Sequence, residues 1–98
     1  MEVEFRDKTL SLIESDRAAE TKLPISVINS FRDKMVVIRA ATDERTLREW
    51  KSLHYEKLQG SKIAERSIRL NKQWRVVFLI DTERKPNKIT VLRVEDYH

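Results

Sequence analysis

The sequence predicts an α+β domain, with helices gathered on one face of a small antiparallel sheet. Three observations carry this. Apolar residues recur at spacings of three and four between Ile28 and Ile38, the period of a helix buried along one stripe. From Arg66 onward the period becomes two, the mark of strands. After an opening strand, the helical segments precede the remaining strands instead of alternating with them, which segregates helices onto one sheet face. With 98 residues, 40% of them hydrophobic, the chain reads as a single domain, residues 1–98. A chain of this size buries roughly 60–65% of its unfolded surface around one small core.

Residues 1–5 alternate, with Val3 and Phe5 on one face and Glu2 and Glu4 on the other, a short half-buried strand. Asp7 is placed to cap a helix whose apolar face uses Leu10 and Ile13, and 14–22 reads as helix end and loop. Pro24 suits the first turn of a second helix, where its missing N–H costs nothing. Ile28, Phe31, Met35 and Ile38 form the buried stripe, Val36 and Val37 widen it, and Arg32, Asp33 and Arg39 face water. Thr42 or Asp43 caps a short third helix with Leu47 and Trp50 on its inner face.

Residues 66–70 form the next strand, in which Ile68 and Leu70 flank Arg69, and 71–73 connect it to the most apolar run, 74–80. That run is a central strand with Trp74, Val76, Phe78 and Ile80 on one face and Arg75, Val77 and Leu79 on the other. Pro86 and Asn87 mark a turn across 81–88, and 89–94 is the last strand, completing a meander.

One glycine excludes Gly-rich phosphate loops, and the absence of cysteine excludes disulfides, thiol catalysis and thiolate metal sites. Two histidines give little basis for a zinc site. No run resembles a signal peptide or the ~20 apolar residues of a membrane helix. The expectation is a cytoplasmic protein with no membrane contact, cofactor or metal. The net charge of +4 is uneven. Residues 1–50 carry nine Lys/Arg against ten Asp/Glu, whereas residues 51–98 carry eleven against six. A basic half is the electrostatic footprint of a polyanion binder, unless it merely solubilises the surface.

Arg75 stands in the most apolar strand. An arginine there needs a carboxylate partner or an anionic ligand, because an unpaired buried charge is costly. One reading is phosphate recognition by the guanidinium fork; the other is an internal ion pair with Asp96 or Glu95. His54 and Lys57, three residues apart ahead of a basic strand, can flank a phosphodiester. Imidazole moves protons at neutral pH, and an ammonium stabilises charge on phosphorane oxygens. The plain alternative is that His54 caps the short helix and Lys57 is solvated. Asp96, Tyr97 and His98 end the chain with an acid, an aromatic and an imidazole. The acid and the imidazole can share proton transfers and Tyr97 can stack on a base; a frayed tail is the alternative. Trp50 and Trp74 are most simply core or interface residues.

Taken together, LHYEKLQG, RSIRLN, QWRVVF and the closing VEDYH, with RAATDERTLR before them, resemble the HigB-type toxins, plasmid-maintenance killer proteins of the RelE/ParE superfamily. The resemblance covers most of the chain and implies the RelE-like fold. It implies a ribosome-dependent endoribonuclease (an mRNA interferase) that enters the A site of the 70S ribosome and cuts mRNA without a metal. It further implies neutralisation by a HigA-type helix-turn-helix antitoxin and a toxin–antitoxin complex on operator DNA. Carried over position by position, His54, Lys57, Arg75, Asp96, Tyr97 and His98 are the implied catalytic set, and Arg69, Lys62 and Arg66 the implied RNA contacts. Arg75 and Lys57 would stabilise the phosphorane, His54, Asp96 and His98 would handle protons, and Tyr97 would orient a base. Two competing readings are a ParE-like DNA gyrase poison, which has no need of acid–base groups, and a non-catalytic RNA- or protein-binding module on the same fold.

Overall fold

Short polar side chains start two helices by satisfying N–H groups that a helix leaves unpaired. Asp7 accepts from the Thr9 N–H at 2.8 Å and opens α1, Lys8–Ser11. Asp43 accepts from the Arg45 N–H at 2.9 Å and opens α3, Glu44–Glu49. The computed structural model describes residues 1–60 and 63–96. Between α1 and the long α2, Ile25–Ala40, the chain makes two 3-10 turns, Leu12–Glu14 and Ala18–Thr21, where the sequence suggested helix end and loop. Pro24 stands immediately before α2, one place earlier than expected.

The buried stripe of α2 is the expected one: Ile28, Phe31, Met35 and Ile38 are all buried, together with Val27. Val36 does not widen it and is 69% exposed. One residue beyond Met35, it is turned about 100° away from the stripe. Trp50, expected inside, is 45% exposed. The chain leaves the helical path at Trp50 for a 3-10 turn, Lys51–Leu53, so helical spacing from Leu47 no longer applies and Leu53 takes the core position.

Five strands form one sheet in the order β1-β5-β4-β3-β2: β1 Glu2–Phe5, β2 Glu56–Lys57, β3 Arg66–Arg69, β4 Trp74–Asp81 and β5 Lys88–Asp96. The pairs among β2, β3, β4 and β5 are antiparallel, as the meander requires. β1 instead lies parallel to β5, so the sheet is mixed. Two residues long, β2 carries too little alternation to be seen in the sequence. Core residues of the sheet, among them Ile68, Val76, Phe78, Ile89 and Val91, pack with the α2 stripe in one hydrophobic cluster. Val77, on the opposite sheet face, is buried but lies outside that cluster.

A register shift at Val77/Phe78 decides what this second face carries. Val77 pairs with Arg93 and Phe78 with Val91, which leaves Leu92 as an extra residue in β5. Strict alternation from Ile89 and Val91 would send Arg93 and Glu95 into the core. The bulge reverses the phase, so Val94 packs against the core while Arg93 and Glu95 fall opposite Val77 and Arg75. β5 also extends to Asp96, so the expected tail is in part strand.

Asn87, expected only to help a turn, is 4% exposed and ties three segments together. Its Oδ1 accepts from the Glu44 N–H at 3.0 Å, and its Nδ2 donates to the Arg84 carbonyl at 2.8 Å. Its backbone N–H donates to Thr42, and its carbonyl accepts from the Glu2 N–H. Asn87→Ala keeps the backbone bonds but leaves the part-buried Glu44 N–H and Arg84 carbonyl without their side-chain partner, and is expected to cost about 1–3 kcal/mol in urea unfolding. An unchanged midpoint would contradict the role.

Candidate active site

His54 ends the 3-10 turn 51–53 with φ 48°, the left-handed conformation common at helix ends. The plain reading of His54 as a helix terminator therefore holds for its backbone. The same turn aims the chain into β2, so His54 and Glu56 arrive beside Ser67, Arg69 and Arg75 on the second sheet face. Tyr55 between them is anchored elsewhere. Its hydroxyl donates to Glu44 Oε2 at 2.6 Å, and its ring stacks on Phe78 with centroids 6.1 Å apart. Burial, then the Glu44 carboxylate, raise the Tyr55 hydroxyl well above its usual pKa, so it remains a donor.

A small depression of about 10 Å³ on that face is lined by His54, Glu56, Ser67, Arg69 and Arg75. Strand register explains the grouping. Glu56 pairs with Ser67 across β2 and β3, and Arg69 pairs with Arg75 across β3 and β4. Two arginines directly opposite each other are unfavourable unless negative charge joins them. Glu56 supplies some: its Oε1 lies 2.9 Å from Arg75 Nη1. The buried Ser67 Oγ accepts from the same Nη1 at 3.3 Å. Arg75 thus has an internal ion pair, as one reading of the sequence required, and among the described residues its partner is Glu56, where that reading had named Asp96 or Glu95. Glu95 sits opposite Arg75 in register and is bonded to Arg93 Nε at 2.9 Å.

The other expected site residues are distributed differently. Lys57 is exposed and pairs in register with Arg66, on the alternation opposite to Glu56. Arg66 donates to the Ala64 carbonyl at 2.8 Å and lies 3.7 Å from Glu44, away from the depression. Asp96 pairs with Trp74 and accepts from Gln73 Nε2 at 2.9 Å, at the end of β5. Lys62, Tyr97 and His98 lie outside the described residues. Sequence reasoning missed Glu56 and Ser67, because the strand that brings Glu56 to the cleft is two residues long. The available signal was the Arg69–Arg75 pair, which calls for a carboxylate nearby.

Next to the depression, Arg93 makes a two-pronged bond to Glu65 at 3.0 and 3.1 Å. That bond holds the Glu65 carboxyl below its ordinary value of 4.5. A depressed folded-state pKa gives stability present above the unfolded value and lost as pH falls through the folded one. Arg93→Gln is therefore expected to lose stability at pH 6 and little at pH 2, shown by urea unfolding at both. An equal loss at both values would assign the effect to packing of the Arg93 stem.

Among the described residues, no helix is long and apolar enough to cross a membrane. Residues 3–98 match the family model of HigB-like toxins, described as the RelE-like toxin of type II toxin–antitoxin system HigB. Toxin HigB-1 of Vibrio cholerae serotype O1 is 35% identical over 78 residues, 80% of this chain and 82% of that protein. Two solved structures share the fold. The YoeB/ParE toxin from Agrobacterium tumefaciens has a TM-score of 0.60 at 12% identity, with all of both chains covered. The YoeB dimer from Staphylococcus aureus has a TM-score of 0.51 at 16% identity, covering 100% of this chain and 97% of that one.

Proposed function

Because the chain belongs to the family of HigB-like toxins, RelE-like toxins of type II toxin–antitoxin systems, we propose that it is a ribosome-dependent endoribonuclease that cuts mRNA in the A site. As a type II toxin it pairs with an antitoxin. The proposed partner is a HigA-type helix-turn-helix protein that also carries the complex to operator DNA. A ribosomal target places the activity in the cytoplasm.

The observation that carries the reading is the convergence of His54, Arg69 and Arg75 on one depression. Paired guanidiniums suit the two non-bridging oxygens of a phosphodiester. The RNA supplies its own nucleophile: the ribose 2′-oxygen bonds to the adjacent 3′-phosphorus and the P–O5′ bond breaks. The products are a 2′,3′-cyclic phosphate and a 5′-hydroxyl. Charge grows on the phosphorane oxygens, where Arg75 stabilises it, with Lys57 assisting from the edge strand. His54 transfers protons, worth typically 10²- to 10⁴-fold in rate. Asp96 and His98 complete the proton carriers and Tyr97 stacks on a base; Arg69, Arg66 and Lys62 hold RNA phosphates.

The test is primer extension on a defined mRNA in a purified translation system, with a ribosome-free control. New 5′ ends inside or at the edges of A-site codons, dependent on ribosomes, support the reading. Gyrase-dependent DNA breaks without mRNA ends would replace it with the topoisomerase poison. Neither activity from folded protein would leave a binding module.

A further inference from the structure

Resting on the nuclease reading above, we infer that Glu44 and Tyr55 are positioning residues for the cleavage: the hydrogen bond between them holds the turn that presents His54 to the depression. His54 is exposed, and among the described residues no hydrogen bond or ion pair holds its imidazole. Its direction is therefore set by its backbone, which is left-handed, with φ 48° and ψ 49°. A residue with a Cβ adopts that conformation at a cost, and keeps it where its surroundings over-determine it. Leu53 supplies the restraint on one side, buried in the core. Tyr55 supplies it on the other.

Two contacts of different kinds hold Tyr55. Its ring stacks on Phe78 at an interplanar angle of 24°, which restrains the plane of the ring but little within that plane. The 2.6 Å bond from its hydroxyl to Glu44 Oε2 is directional and fixes the remaining freedom. Glu44 is itself built in. It is the first residue of α3, its backbone N–H donates to Asn87, and its largely buried carboxylate also meets Arg48 at 3.1 Å and Arg66 at 3.7 Å. Neither Glu44 nor Tyr55 lines the depression. The pair therefore acts through the segment it anchors, and His54 is the next residue along it. A catalytic group displaced by about 1 Å can lose on the order of 100-fold in rate, so a loosened turn is enough to slow the chemistry.

Single-turnover cutting of ribosome-bound mRNA tests the assignment. Tyr55→Phe removes the hydroxyl and keeps the stacked ring. It is expected to slow cutting about ten-fold, while binding to the ribosome–mRNA complex stays within about three-fold. Glu44→Ala should behave alike. Glu44→Gln keeps an acceptor for the hydroxyl but drops the charge facing Arg48 and Arg66, and is expected to cut within about three-fold of wild type. The decisive comparison is made on His54→Ala. Adding Tyr55→Phe should leave its residual cutting unchanged, because a residue acting through His54 has nothing left to act on. A comparable further loss there would overturn the assignment and give the bond a general structural role. Wild-type cutting by folded Tyr55→Phe would overturn it too. Amide exchange reads the turn apart from cutting. The His54 N–H, bonded to the Lys51 carbonyl at 3.1 Å, is expected to exchange several-fold faster in Tyr55→Phe while the α2 amides keep their rates. Equal exchange at His54 would show that the bond does not hold the turn. If the wild-type protein itself does not cut, the nuclease reading falls and this assignment with it; a cutting wild type beside an unaffected Tyr55→Phe sinks the assignment alone.

Discussion

Arg75→Ala is expected to lower ribosome-dependent mRNA cutting by about 10²- to 10³-fold, the typical loss when one preorganised donor to a developing oxyanion is removed. Arg75 is 9% exposed, its guanidinium bonded to Glu56 and Ser67, and it is registered opposite Arg69. It therefore needs no reorganisation when charge appears on the phosphate. Arg75→Lys keeps one charge but loses the planar fork, and is expected to bind RNA better than the alanine variant while still cutting poorly. The effect on folding should be small. A half-exposed Glu56 can hydrate once its partner is gone, and the opposition of two arginines is relieved. A shift of no more than about 1 kcal/mol in urea unfolding is expected, well below the 3–5 kcal/mol seen when a fully buried pair is broken. Primer extension together with unfolding separates the two effects. Full-rate cutting by the folded alanine variant would remove Arg75 from the site.

Phe78→Ala is expected to be the most destabilising single change considered, at about 3–5 kcal/mol. The ring is fully buried, stacks on Tyr55 and stands where the register shift begins, with Arg66 and Val91 as its cross-strand partners. Truncation leaves a cavity between the sheet and the segment that carries the site. Domain stabilities run to roughly 5–15 kcal/mol, so this is a large fraction of the total. For a chain of about this size each kcal/mol shifts Tm by roughly 4–8 °C, and calorimetry should show a drop of tens of degrees. A loss near 1 kcal/mol would mean that Tyr55 and its neighbours collapse into the space. In that event His54 and Glu56 would move, and cutting should fall even where the protein remains folded.

Much of the fold was legible because it rests on period and local chemistry. The α2 stripe, the capping roles of Asp7 and Asp43, and the assignment of Trp74, Val76, Phe78 and Ile80 to the core face all follow from spacing. Where the local path departs from its period, spacing misleads: Trp50 lies outside because the helix has already ended. The site was legible in part. His54, Arg69 and Arg75 do converge, whereas Lys57 and Asp96 fall on the opposite alternation. Residue type alone does not say which face of a short edge strand a side chain takes.

By itself the sequence determined the α+β class, the helix and strand segments with their buried faces, and the motifs that mark the toxin family. These depend on interactions within a few residues or on a pattern repeated along one segment. The tertiary structure alone decided that β1 joins β5 in parallel, that Leu92 is the extra residue which turns Arg93 and Glu95 away from the core, and that Glu56 meets Arg75. Each of these joins residues separated in the chain, from thirteen between Phe78 and Val91 to eighty-six between Glu2 and Lys88. Such pairings are selected by the packing of the whole sheet against α2, because a slip of one residue would exchange a buried face for a charged one.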